Sequence, residues 1–275
     1  MPDDHPPDGV ILIRADNPGP LTLTGTNSWL VRARGGGVVA IDPGPAMPDH
    51  LEALVEAAAP AGGIRAIALT HRHPDHAPGG LVLGERLGVP VHASPPPRPA
   101  DAPPTEELVD VIPDVAVADG DDILGLTALA APGHSVDHLV FITPDGVLFT
   151  GDVVLGTGSV LVSPHGGSMS TYLATLRRLQ RLDLTWICPG HGPMVAEPHA
   201  KLAEYVAHRL AREAAVVGAL DDVPRSLDEL LAAAYADTPE AMWFAARLPL
   251  LAHLDKLVEE GRAQRDAAGW RRAAA

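Results

Sequence analysis

The run His71-Arg72-His73-Pro74-Asp75-His76 puts three imidazoles and a carboxylate within six positions. Imidazole nitrogen suits zinc, iron and other borderline ions, while a carboxylate suits a harder or second ion. His71 and His73 are two residues apart, so in extended backbone their side chains point the same way. Pro74 fixes a bend that can turn Asp75 and His76 towards a second position. The run follows directly on an apolar strand pattern, Ile64 to Leu69, that ends at Thr70. A solvated surface loop would explain neither that placement nor that density of ligand-type side chains.

Three other stretches repeat the arrangement of apolar strand, small turn residue and ligand-type side chain. Ala130-Ala131-Pro132-Gly133-His134 presents His134, Val147-Leu148-Phe149-Thr150-Gly151-Asp152 presents Asp152, and Ile187-Cys188-Pro189-Gly190-His191 presents His191. Each alone reads as an ordinary turn. Together, in chain order, they make a strong joint signal for a metal site. Bound divalent ions lower the pKa of water towards about 7 and polarise the substrate oxygen, so no Ser-His-Asp or Cys-His nucleophile is needed.

The elements that must carry these residues are short. Strand patterns occupy Val38 to Ile41, Ile64 to Leu69, Val89 to His92, Leu126 to Ala130, Leu139 to Thr143, Val147 to Thr150 and Trp186 to Cys188. Helical spacing occupies Asp49 to Ala59, Gly80 to Leu87 and Thr171 to about Arg181, the last with Ser170 as its expected cap. Strands alternating with helices imply α/β layering. The proline-dense stretch from Ser94 to Pro104 reads as a loop. From about His199 the texture turns helical: Ala200 to Leu220, Ser226 to Tyr235 and Pro239 to Glu260. The tail from Gly261 to Arg271 has hairpin character with Gly269 near its bend. Three helices and a hairpin match a winged-helix module. The expected division is 1–198 and 199–275.

Aromatic residues make up 4% of the 275 residues and hydrophobic ones 46%, so Leu, Val, Ile and Ala must fill the core. The one cysteine, Cys188, excludes a disulfide within the chain and reads as a small buried hydrophobe. Met1-Pro2-Asp3-Asp4-His5 lacks a basic segment followed by an apolar one, and no apolar run has the length of a membrane span. A soluble cytoplasmic protein with no membrane partner is expected. The net charge is −15, with the acidity concentrated in the first 194 residues, which disfavours non-specific nucleic-acid binding.

The order His-x-His-x-Asp-His, then His, Asp and His, resembles the metallo-β-lactamase superfamily, in the form of its glyoxalase-II-type binuclear hydrolases. The resemblance implies a four-layer αββα sandwich with the ligands on loops at one edge. It places His71, His73 and His134 on a first metal, Asp75, His76 and His191 on a second, and Asp152 between them. Asp75 and Asp152 are the implied catalytic carboxylates, Asp75 as a candidate base. Two divalent ions are implied, zinc by default for a His-rich set, with iron and manganese open. β-Lactamases proper commonly carry a cysteine where Asp152 stands, which argues against antibiotic hydrolysis. Asn17 to Pro20, Gly25 to Val31, Ile41-Asp42-Pro43-Gly44 and Asp137-His138 resemble one branch with a C-terminal winged helix. That branch includes a mitochondrial endoribonuclease and acyl-carrier-protein thioesterases.

Three functions follow as expectations. The first is hydrolysis of a small ester or thioester. The second is cleavage of single-stranded RNA, kept open by Arg262, Arg265, Arg271 and Arg272 in the expected wing. The third is a nucleic-acid-binding regulator, which a full ligand set argues against. The C-terminal module could also form a homodimer contact. In this fold the position of Asp42 commonly supports the metal loop, and Asp137, His138 and His165 follow candidate ligands closely enough to support the site or touch substrate; a turn role is the alternative for the first three and a passive loop for His165.

Overall fold

The computed structural model describes residues 6–95 and 108–274. Met1 to His5 and most of the proline-dense loop therefore lie outside the described residues. Two sheets face each other. The first runs in chain order through β1 (Val10–Arg14), β2 (Asn27–Arg32), β3 (Val38–Ile41), β4 (Ile64–Ala68), β5 (Val91–Ala93) and β6 (Val115–Ala116). Its β3 to β6 are parallel, with α1 (Pro48–Ala58) and α2 (Pro78–Leu87) as crossovers. The second sheet holds β7 (Asp122–Ile123), β8 (Leu126–Ala130), β9 (Leu139–Ile142), β10 (Val147–Gly151) and β11 (Trp186–Pro189). There α3 (Met169–Leu179) connects the parallel pair β10 and β11.

Period-two alternation explains the layering. Trp29 and Val31 of β2 face Phe149 and Val147 of β10 between the sheets, with Val39, Ile41, Leu126, Phe141 and Cys188 completing that layer. The Trp29 and Phe149 rings meet edge to face at 5.9 Å. The alternate residues point outwards. Leu30 and Ala40 pack under α1 and α2 with Leu54 and Leu83, and Leu148 and Ile187 pack under α3 with Leu173 and Leu176. Strands buried on both faces are why the sequence shows continuous apolar runs rather than alternation. The expected αββα sandwich is the observed one.

The C-terminal part comprises α4 (Pro198–Ala219), α5 (Leu227–Ala234), α6 (Trp243–Glu259) and the hairpin β12 (Ala263–Asp266) and β13 (Gly269–Arg272). Leu230, Leu231, Leu250, Leu254, Leu257 and Trp270 close its core. The helix α4 belongs to both bodies. Leu202 and Tyr205 pack in the layer under β10, while Val216 and Ala219 pack in the C-terminal core.

Several local expectations shift. Ser168, not Ser170, caps α3, accepting the Thr171 N–H at 3.3 Å, while Ser170 Oγ donates to Glu259 instead. β1, β2, β6 and β7 escaped periodicity: β6 and β7 have two residues each, β1 is four apolar residues and Arg14 at the sheet edge, and β2 opens on the polar pair Asn27 and Ser28. A 3-10 turn, Glu240–Met242, precedes α6.

Within α6, His253 is fully buried and neither ring nitrogen has a hydrogen-bond partner among the described residues. Burial, helped by the Arg209 charge, pushes its pKa down from 6.5 to about 3. The folded protein keeps the ring neutral where the unfolded chain would bind a proton. Stability from this group is therefore complete above pH 6.5 and drains as the pH falls towards about 3. Wild type is expected to lose stability relative to His253→Leu over that window, read as melting temperature against pH. Parallel curves would contradict it.

Candidate metal centre

Four strand ends converge. His71 to His76 follow β4 of the first sheet, and His134, Asp152 and His191 follow β8, β10 and β11 of the second. The sheets are tied together at this edge. The Leu139 N–H donates to Thr70 O at 2.7 Å. Asn27 Nδ2 donates to Pro189 O at 3.0 Å and Gly192 O at 2.8 Å, bracing the His191 turn from β2. Backbone approach is close. At Gly151, φ is +46° and a Cβ would stand 2.5 Å from Thr70 Oγ1. At Gly190 it would stand 2.8 Å from Asp152 Oδ1. Only glycine fits either turn.

All seven residues singled out in the sequence meet in one cluster. His71, His73 and His134 have donor atoms within 4.8 Å of one another, and so do Asp75, His76 and His191. A third grouping, His71, His76 and Asp152, joins the two. His73 Nδ1 faces both His71 Nε2 at 2.9 Å and His134 Nε2 at 3.0 Å. Asp152 Oδ1 is buried without a hydrogen bond among the described residues, 3.4 Å from His191 Nε2 and 3.5 Å from His76 Nε2. Its Oδ2 lies 3.8 Å from His134 Nε2. Asp75 Oδ2 lies 3.2 Å from His191 Nε2, and its side chain keeps 26% exposure, the most open of the carboxylates here.

The carboxylates and imidazoles of the cluster set one another's protonation. Burial opposes charging His76, but Asp75, Asp152 and Asp42 outweigh it and hold its pKa well above the usual imidazole value. Burial also opposes ionising Asp152, yet His191, His76 and His134 hold it well below the carboxylate range. His71 goes the other way: burial and the surrounding imidazoles hold it well below 6.5. Converging imidazole nitrogens and an orphaned, ionised carboxylate oxygen fit divalent ions in place of those protons.

The residues left open by the sequence separate. Asp42 is buried at φ +45° and accepts three bonds: Thr70 N–H at 2.7 Å, Thr70 Oγ1–H at 2.6 Å and His76 Nδ1–H at 2.9 Å. It orients a candidate ligand rather than merely starting a turn. His138 stacks on His71 at 4.6 Å, and its Nε2 accepts the Asp152 N–H at 3.2 Å. Burial holds its pKa well below 6.5, which keeps that nitrogen an acceptor. Asp137 stands outside the cluster, in a buried ion pair with Arg72 Nε at 3.2 Å and accepting Ser135 Oγ–H at 2.8 Å. His165 is exposed and joins none of the donor groups.

Sequence reasoning missed Thr70, Asn27 and the Leu161 carbonyl, which accepts His134 Nδ1–H at 2.8 Å. The first two read as strand residues. A backbone carbonyl has no sequence signal.

The chain matches the metallo-beta-lactamase superfamily over residues 21–191. It matches the beta-lactamase associated winged helix domain over residues 226–270. A beta-lactamase-like protein 2 homolog of Caenorhabditis elegans is 30% identical over 267 residues, covering 92% of this chain and 85% of that one. An atrochrysone carboxyl ACP thioesterase of Aspergillus chevalieri is 32% identical over 216 residues, covering 77% and 65%. The crystal structure of a metallo-beta-lactamase family protein from Thermus thermophilus superposes with a TM-score of 0.74. It is 27% identical and covers 97% of this chain and 99% of that one. Fold, site edge and sequence agree: the chain belongs to the metallo-β-lactamase superfamily, as a hydrolase with a C-terminal winged-helix domain.

Proposed function

We propose that the chain hydrolyses a small ester or thioester with a binuclear metal centre. The observation that carries the reading is the convergence of seven ligand-type side chains on one sheet edge with Asp152 Oδ1 left unsatisfied. In this reading His71, His73 and His134 hold one ion, Asp75, His76 and His191 hold the other, and Asp152 serves both. Zinc suits so many imidazoles, with iron and manganese as the alternatives. Bound there, divalent ions supply an activated water at neutral pH and an electrophile for the substrate oxygen.

The protein's own groups do the rest. Asp42 and the Leu161 carbonyl fix the Nδ1–H of His76 and His134, so each Nε2 keeps its lone pair towards the cluster. His138 holds the backbone at Asp152. Asp75, the carboxylate most open to solvent, would take up the proton released as water adds to the acyl carbon and return it to the alkoxide or thiolate that departs as the acyl C–O or C–S bond breaks. The catalytic unit spans 1–198 and the winged-helix part 199–275, with α4 shared between them.

Two observations put an acyl substrate ahead of RNA. A relative in this superfamily is a thioesterase acting on an acyl-carrier-protein substrate. Three of the wing's four arginines, all but Arg271, are also engaged internally. Arg262 pairs with Glu213 and Glu260, Arg272 donates to Leu220 O, and Arg265 stacks 4.7 Å over Trp270. The test is incubation of metal-loaded protein with acyl-thioesters, an ester reporter and single-stranded RNA, each with a chelator control. Chelator-sensitive thioester or ester hydrolysis is expected. Cleavage of RNA alone, or turnover that a chelator leaves untouched, would overturn the reading.

A further inference from the structure

Between Asp152 and Ser163 the chain has no repeating structure, yet Val153, Val154, Leu155, Val160 and Val162 are buried. This segment links the Asp152 carboxylate to the carbonyl that orients His134. Its backbone is gripped in sequence. Tyr172 Oη donates to Val153 O at 2.7 Å, and Thr150 Oγ1 donates to Val154 O at 2.8 Å. Tyr205 Oη, on α4, accepts the Leu155 N–H at 3.1 Å. The Gly156 N–H donates to His191 O at 3.0 Å. Arg209, one turn further along α4, donates from Nη2 to Val160 O. The next carbonyl, Leu161 O, accepts His134 Nδ1–H.

Arg209 is only 2% exposed, with its guanidinium carbon 5.3 Å from the Tyr172 ring centroid. Putting a cation this deep is costly unless its donors find acceptors; Nε has none among the described residues, so the Nη2 bond to the Val160 carbonyl carries that much more weight. A carbonyl can only accept, so Leu161 O dictates that His134 carries its proton on Nδ1. That leaves Nε2 free to ligate. Leu161 O belongs to the next peptide, so the grip on Val160 O restrains it across the single residue Leu161, and with it the tautomer and ring plane of His134.

We propose that Arg209 is a positioning residue of the metal centre. From the helix shared with the winged-helix part, it aims the Leu161 carbonyl at His134 and so shapes a ligand it does not touch. The proposal rests on the reading of His134 as a ligand. It also makes α4 part of the centre's scaffold rather than a tether to a separate module.

Cobalt(II) provides the test, because the visible spectrum of the full-length, cobalt-loaded protein reports ligand geometry independently of turnover. Arg209→Met keeps apolar contact with Tyr172 and removes the donor. It is expected to weaken cobalt binding about 10-fold and shift the loaded protein's visible bands, with Arg209→Lys recovering most of the affinity. A residue that only staples α4 in place would lower the melting temperature and leave both readouts alone. Wild-type cobalt affinity with an unchanged spectrum in Arg209→Met overturns the proposal. His134→Ala, titrated beside it, separates the two readings. Weak binding in His134→Ala with unchanged Arg209→Met sinks only the positioning role, while wild-type binding in His134→Ala sinks the ligand reading and this proposal with it. If Arg209→Met does not fold, Arg209→Gln, which shortens the reach to the Val160 carbonyl and removes the charge, carries the test. A loss of a few-fold in affinity with a band shift supports the proposal, and wild-type behaviour overturns it.

Discussion

Asp152→Ala is expected to lower turnover by roughly 10³-fold or more, the rate equivalent of several kcal/mol of lost charge stabilisation, and to strip most of the bound metal. Asp152 stands between the two donor groups: Oδ1 faces His76 and His191, and Oδ2 faces His134. It is also the anion that keeps neighbouring imidazoles attracted to positive charge, since Asp152 is among the groups raising the pKa of both His76 and His191. Its removal leaves converging nitrogens with less to neutralise an incoming cation. Asp152→Asn separates charge from shape, keeping the hydrogen-bonded turn while losing most of the rate. Measuring kcat/KM and metal content on the same sample checks both. Wild-type values for Asp152→Ala would remove Asp152 from the site.

Asp42→Ala has the second large effect, and it falls on folding as well as metal binding. The carboxylate is 1% exposed and accepts from Thr70 N, Thr70 Oγ1 and His76 Nδ1. Removing it strands these donors in a buried place, which costs about 3 kcal/mol. Alanine at φ +45° adds roughly 1 kcal/mol of backbone strain. Asp42→Asn suits that φ and keeps an oxygen for the Thr70 N–H, so it is the milder change in urea unfolding. It also presents an amide where His76 needs an acceptor, and metal affinity is expected to fall by about 10- to 100-fold. Wild-type stability and affinity in both variants would reduce Asp42 to a turn residue.

Ligand-type residues after apolar strands were legible in the sequence because the strands before them are apolar and largely buried, β10 most fully, and their ends are the first place a polar side chain can stand. The layering was legible for the same reason. Which of the two roles Asp42 plays was not, because a carboxylate before Pro43-Gly44 suits a turn and a buried acceptor equally. Only the placement of Thr70 and His76 within 3 Å of it decides. Ser168 and Ser170 both suit a cap, and the partner Glu259, from a helix 89 residues away, decides which one is free. The grip of α4 on the segment after Asp152 was invisible because it is made through backbone carbonyls.

The measurement that bears most directly on the account is elemental analysis of the purified, metal-reconstituted chain beside Asp152→Ala, with hydrolysis followed before and after chelation. About two divalent ions per chain in wild type, sharply fewer in the variant, and activity that falls with the chelator and returns with metal are the predicted results. Wild-type protein that hydrolyses its substrate with no bound metal, or a variant that keeps a full complement, would contradict the account.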